Sequence, residues 1–176
     1  MFFRLLYSSG LRTNEIRMLK RESVNLGNGV IDVRYSKGRD QHFVVLHDSM
    51  LSIMMQYDGA IGNLYPNRTY FFPAIKDGFH TAQWVFDNFR ELWDNLSNGR
   101  ARAYDLRHNY AVENINSWTC EGFGFNDKLV SLSKSMGHSG LESTKYYYSF
   151  VPALADIINA RTDEEELIPE VDYESY

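Results

Sequence analysis

The sequence holds a single cysteine, Cys120, four prolines, no internal repeat and no low-complexity stretch outside its acidic end. One cysteine rules out an internal disulfide and any Cys/His spacing that would hold zinc, and it fits a reducing, cytoplasmic setting. No apolar run approaches the roughly 18 residues that a membrane span needs. The opening MFFRLLYSSG is apolar, but it lacks a basic leader region and runs straight into a polar helical pattern. It reads as the end of a core helix, not as a signal peptide. An excess of basic residues is also missing. The formal charge is −5, which at first argues against a nucleic-acid partner. The distribution changes that reading. Residues 161–176 carry seven carboxylates against one cation, Arg161, whereas the preceding 160 residues hold 17 Lys/Arg and 16 Asp/Glu. The body is near neutral and has room for a local basic patch. The end reads as a solvated, disordered tail.

What is present is enough apolar surface for one domain: 44% hydrophobic and 15% aromatic residues in 176. Residues 2–8 read as a helix stopped by Gly10. Thr13 is placed to cap a helix over Asn14–Arg21. Residues 30–35 and 41–46 are rich in Val, Ile, Phe and Tyr around a polar Ser-Lys-Gly-Arg-Asp turn, the pattern of a hairpin. Asp48 is placed to cap a helix over Ser49–Tyr57, and the glycines and proline of 59–69 read as loop. Tyr70–Phe72 reads as a short extended piece. Thr81 opens an amphipathic helix through residue 95, with Trp84, Val85, Phe89 and Trp93 at helical spacing. Further helices are expected over 104–117, Lys128–Met136, 141–149 and 153–160. The fold class is mostly α with a small antiparallel β-sheet near the N-terminus.

Certain polar residues fall at the boundaries of these elements. Gly10-Leu11-Arg12 lies at a helix end, with Glu15 three residues on. Ser36-Lys37-Gly38 lies in the hairpin turn. Asp105-Leu106-Arg107-His108 opens a helix, Met136-Gly137-His138 closes another, and Tyr147 sits in a run of three tyrosines nine residues after His138. Cleaving a DNA phosphodiester while conserving its energy calls for this set. Tyrosine can form a covalent phosphate linkage. Two guanidiniums and an imidazole can stabilise charge spread over the non-bridging oxygens. A lysine can protonate the leaving 5′-oxygen. The chemistry requires no metal or other cofactor, because the cations stand in for one.

In this order and spacing, residues 3 to about 160 resemble the tyrosine recombinase (phage integrase) family. The resemblance implies an integrase-type catalytic domain over 1–160, followed by the acidic tail over 161–176. On that resemblance, the helical DNA-clamping domain that precedes it in the family is expected to be absent from residues 1–176. By the same resemblance Arg12 and Arg107 match the two catalytic arginines and Lys37 the hairpin lysine. His138 matches the histidine of the Gly-His box, and Tyr147 the nucleophile. Glu15 matches a supporting acid, and Tyr104 stands where the family usually has a histidine. The implied partners are double-stranded DNA and further protomers on it, the helix at 153–160 being a candidate for reaching a neighbour. His42, His47 and His80 show no partner pattern. The rival readings are a non-catalytic DNA-binding remnant of an integrase, a type IB topoisomerase-like enzyme and a plain helical interaction module.

Overall fold

A computed structural model describes residues 1–34, 41–118 and 124–147. Lys37, Cys120, Tyr148, the expected helix at 153–160 and the acidic tail lie outside the described residues. Within them the chain is mostly helical, with one three-stranded antiparallel sheet in the order β1-β2-β3.

Helix α1 (Phe2–Ser9) ends at Gly10, whose φ of 64° is the left-handed conformation expected of a C-terminal stop. Helix α2 (Thr13–Arg17) is shorter than its sequence pattern suggests, and a separate 3-10 turn follows at Arg21–Ser23. Arg12, not Thr13, occupies the cap position of α2. The Glu15 side chain folds back to accept the Arg12 backbone N–H at 2.8 Å. A carboxylate bond to a free helix-end amide is stronger than a threonine hydroxyl would give. Strand β1 (Val24–Asn25) was not anticipated, since two residues carry too little alternation to read. It pairs with β2 (Val30–Val33), which pairs with β3 (His42–Val45). Along β3 the burial alternates, with His42 and Val44 turned into the protein and Phe43 and Val45 turned out.

Helix α3 (Asp48–Leu64) runs two turns past its expected end, through Gly59 and Gly62. Mid-helix glycines cost about 1 kcal/mol each. Here Asp58 offsets that cost by pairing with both Arg21 (2.6 Å) and Arg68, tying the helix to the 3-10 turn and to the strand-like segment beyond. His47, not Asp48, caps α3, accepting the Ser49 N–H through Nδ1. In α4 (Ala82–Asp94) Thr81 caps as expected, its hydroxyl accepting from Trp84 N at 3.0 Å. Helices α5 (Asp105–Ser117), α6 (Gly124–Ser135) and the short α7 (Glu142–Lys145) complete the described chain. Helix α6 starts four residues earlier than its apolar spacing implies, with Gly124 inside it.

The buried residues form two clusters. The larger one packs α1, the sheet, α3 and α4 around Leu5, Ile31, Met54 and Phe71, with Phe2 meeting Phe72 and Trp84 edge-on. The smaller one joins α5 to α6 through Ala111, Ile115, Leu129 and Met136, and it takes in Tyr147. The two clusters meet where α1 lies against α5.

Gly10 is at that junction. A methyl group there would lie 2.4 Å from the Tyr110 ring, on a backbone with positive φ. Gly10→Ala is expected to destabilise the domain by about 2–4 kcal/mol, combining left-handed strain with overpacking. The urea midpoint measures it, and a loss under about 0.5 kcal/mol would mean the junction relaxes freely.

A candidate active site between three helix ends

Arg107, on the first turn of α5, is only 1% exposed. Its Nη1 donates to the Gly10 carbonyl, and its Nη2 donates to the Met136 carbonyl (2.8 Å) and to His138 Nε2 (2.9 Å). One guanidinium thus joins the end of α1, the start of α5 and the end of α6. Burial and the nearby positive charge of Arg12 pull its pKa below the ordinary arginine value. Tyr104, Glu15 and Tyr147 act in the opposite direction.

The end of α6 is shaped to receive it. Gly137 has φ 61°, and Gly137 N and His138 N donate back to the Lys134 and Ser133 carbonyls at 3.0 Å each. That is a Schellman closure. It leaves the carbonyls of Met136 and Gly137 at the negative end of the helix, pointing away from their own turn. Arg107 takes the first, and Arg12 Nη2 takes the second at 2.8 Å. Arg12 is held in turn by Glu15, whose Oε1 accepts from Nη1 at 2.6 Å.

His42 is buried against this arrangement. Its Nε2 is 3.9 Å from Glu15 Oε2, and its ring fills the space a side chain at Gly137 would need, 2.6 Å from such a methyl. Strand alternation was the available signal, because a histidine on the same face as Val44 must find a polar neighbour in the interior. None of His42, His47 and His80, for which the sequence shows no partner pattern, lines the smaller of the two cavities described below. His47 is a helix cap, and His80 stacks on Trp84 at 3.7 Å between ring centroids.

The remaining wall comes from α7 and the turn after it. His138 Nδ1 lies 2.7 Å from Thr144 Oγ1. Tyr147 is 3% exposed. Its ring is within 15° of parallel to that of His138, at 6.3 Å, and meets His108 at 5.5 Å. Burial raises the pKa of the Tyr147 phenol, and the facing Arg107 guanidinium opposes that rise. The tyrosine is thus a neutral phenol at neutral pH. Tyr146 is largely exposed, so of the described tyrosines in the run only Tyr147 faces inward. Tyr104, 39% exposed, precedes the first residue of α5 without a side-chain cap bond and packs edge-on against His108.

These groups surround a cavity of about 240 Å³ lined by Arg12, Tyr104, Arg107, His138, Ser143 and Tyr147, among others. Five of the seven residues singled out from the sequence line it. Glu15 stands behind Arg12, and Lys37 lies outside the described residues. A larger hollow of about 810 Å³ between β3 and helices α5 and α6 shares Gly137 and His138 but neither arginine. With two guanidiniums in its wall and the Glu15 carboxylate behind Arg12, the smaller cavity has a net positive charge suited to a phosphodiester. Thr144 and His42 are the residues that sequence reasoning passed over.

The family model described as the phage integrase family matches residues 1–151. The integrase/recombinase y4rE of Sinorhizobium fredii is 31% identical over 150 residues, 81% of this chain and 48% of that protein. Tyrosine recombinase XerD of Pseudomonas aeruginosa is 27% identical over 161 residues, 89% of this chain and 51% of that protein. The chain spans about half the length of the curated relatives it matches. Among solved structures, XerA recombinase superposes with a TM-score of 0.73 at 18% identity, covering 90% of this chain and 55% of that one. The catalytic domain of bacteriophage HP1 integrase gives 0.55 at 18% identity, covering 94% and 81%. The fold class expected from the sequence is thus the one observed.

Arg107→Lys keeps the charge but cannot reach two carbonyls and an imidazole from one planar fork. It is expected to cost about 2–4 kcal/mol of unfolding free energy, the range for opening a buried, hydrogen-bonded charge. Chemical denaturation reads this directly, and a cost near zero would show that Arg107 does not hold the three segments together.

Proposed function

The chain belongs to the phage integrase family, and on that premise we propose that it is the catalytic part of a site-specific tyrosine recombinase, cutting and rejoining DNA through a 3′-phosphotyrosine. The observation that carries this reading is the inward-facing Tyr147 in one cavity with Arg12, Arg107 and His138. The phenolic oxygen of Tyr147 attacks the scissile phosphorus and the bond to the 5′-oxygen breaks. Arg12, Arg107 and His138 stabilise the pentavalent state, and Lys37 protonates the leaving oxygen. A 5′-hydroxyl from another strand reverses the step and completes strand exchange. Full exchange takes several protomers around two duplexes, with the 153–160 segment a candidate contact between them. The protein would act in the cytoplasm. Among the described residues, no helix is long and apolar enough to cross a membrane.

A buried phenol is a demanding choice of nucleophile, because it must lose its proton as it attacks. The surroundings supply what that requires: two guanidiniums within the cavity and little access for competing water. One observation favours the rival reading of a DNA-binding remnant, namely Tyr104 where the family pattern has a histidine. Phenol is a poorer proton carrier than imidazole near neutral pH.

A duplex pool selected for binding to the chain, then rebuilt as nicked suicide substrates, separates the two readings. The expected result is a denaturant-stable protein–DNA adduct, absent in Tyr147→Phe, while duplex affinity stays within about twofold. Binding should fall steeply with salt, and Arg12→Ala should lower the log–log slope by about one, as for one lost phosphate contact. Binding without adduct at high protein concentration, even when an N-terminal DNA-clamping domain is supplied, would establish the remnant.

A further inference from the structure

Two hydrogen bonds determine where His138 carries its proton. Arg107 Nη2 lies 2.9 Å from His138 Nε2, and a guanidinium has hydrogens to donate and no lone pair with which to accept. His138 Nε2 is therefore the acceptor, and the neutral ring holds its proton on Nδ1. That nitrogen is 2.7 Å from Thr144 Oγ1. Thr144 has no solvent exposure at all, so no water replaces this bond if it is lost. Thr144 also stands three residues before Tyr147, whose ring lies nearly parallel to the imidazole. The phenol hydroxyl of Tyr147 faces the same guanidinium that occupies Nε2.

We infer that Thr144 is a positioning residue: it holds His138 as the Nδ1–H tautomer, leaving Nε2 on the cavity side as the acceptor for the phenolic proton of Tyr147. This rests on the recombinase reading. The step balances as follows. The Tyr147 oxygen forms its bond to phosphorus while the bond from phosphorus to the 5′-oxygen breaks. The phenolic proton passes to Nε2, and the leaving oxygen takes a proton from the Lys37 ammonium. His138 is then an imidazolium, and its new Nε2–H donates to a non-bridging oxygen, so one residue is base first and electrostatic stabiliser afterwards. Arg107 releases Nε2 when phosphate oxygens arrive, since an anionic acceptor binds a guanidinium more strongly than a neutral nitrogen does. His108 also lines the cavity, but no hydrogen bond among the described residues fixes its tautomer.

The test combines imidazole NMR with cleavage, using the full 176-residue chain. Long-range nitrogen–carbon-proton spectra of nitrogen-labelled histidine, taken at about pH 8 where an ordinary imidazole is neutral, distinguish the tautomers. His138 is assigned by the signal lost in His138→Gln. The expected result is the Nδ1–H pattern in the parent and in Thr144→Ser, and a mixed pattern in Thr144→Val, which keeps the shape without the hydroxyl. On the suicide duplex, Thr144→Val should form adduct about tenfold more slowly at unchanged duplex affinity, the size of one lost hydrogen bond. Thr144→Ser should stay within about twofold. An Nε2–H pattern in the parent overturns the inference without recourse to any variant. So does a Thr144→Val protein that keeps both the tautomer and the rate. If the parent forms no adduct even when an N-terminal DNA-clamping domain is supplied, the recombinase reading fails and the proton transfer with it, and the NMR patterns still decide whether Thr144 sets the tautomer.

Discussion

The Arg107 guanidinium is the interaction on which the rest of this domain depends. It bonds to a backbone carbonyl 97 residues before it and to another 29 residues after it. The two buried clusters, one around the sheet and one between α5 and α6, are joined at this point by a charge. Burying a cation is costly unless every hydrogen finds an acceptor. Here the acceptors for Nη1 and Nη2 come from two helix ends whose last carbonyls have no partner within their own helices, while Nε stays buried without a hydrogen-bond partner among the described residues. The same arrangement that holds its terminal nitrogens leaves it lining the cavity, so in the proposed function a single residue serves both as a structural tie and as a floor for a phosphate.

Gly137 is the geometric counterpart of Arg107. Its positive φ closes α6 and aims two successive carbonyls at two arginines. Its lack of a side chain admits His42 from β3. In sequence, Gly-His is a common dipeptide. In the fold it is the place where α2, α5, α6 and the sheet come within bonding distance of one another. The carboxylate of Glu15 completes the group by holding Arg12 at both its backbone and its side chain.

Much of this was legible before any coordinates. The amphipathic pattern over Trp84–Trp93, with Thr81 before it, gave α4 because hydrophobic spacing and a cap agreed. Gly10 marked the end of α1 because only a left-handed residue fits there. The ordered set Arg12, Arg107, His138 and Tyr147 could be read because each falls at an element boundary, where side chains from distant segments converge. What could not be read depended on partners far away in sequence. Helix α3 passes through Gly59 and Gly62 because Asp58 meets Arg21 and Arg68, and local propensity carries no trace of either arginine. His42 looked unattached because its neighbour Glu15 is 27 residues away on another element. Thr144 was one polar residue among several in Ser-Thr-Lys until the imidazole of His138 was found against it.

The charge distribution is consistent with the proposed role despite the net −5. The excess negative charge sits in the terminal sixteen residues, and the cavity is lined by two arginines, with the Glu15 carboxylate behind one of them. The proposal turns on one atom, the phenolic oxygen of Tyr147, with Tyr146 and Tyr148 beside it in the chain. The most direct test is mass spectrometry of the suicide-substrate adduct after nuclease and protease digestion, with fragmentation to locate the nucleotide. The account predicts a nucleotide 3′-phosphate on Tyr147 alone. A nucleotide on Tyr146, Tyr148 or Ser143 would contradict it.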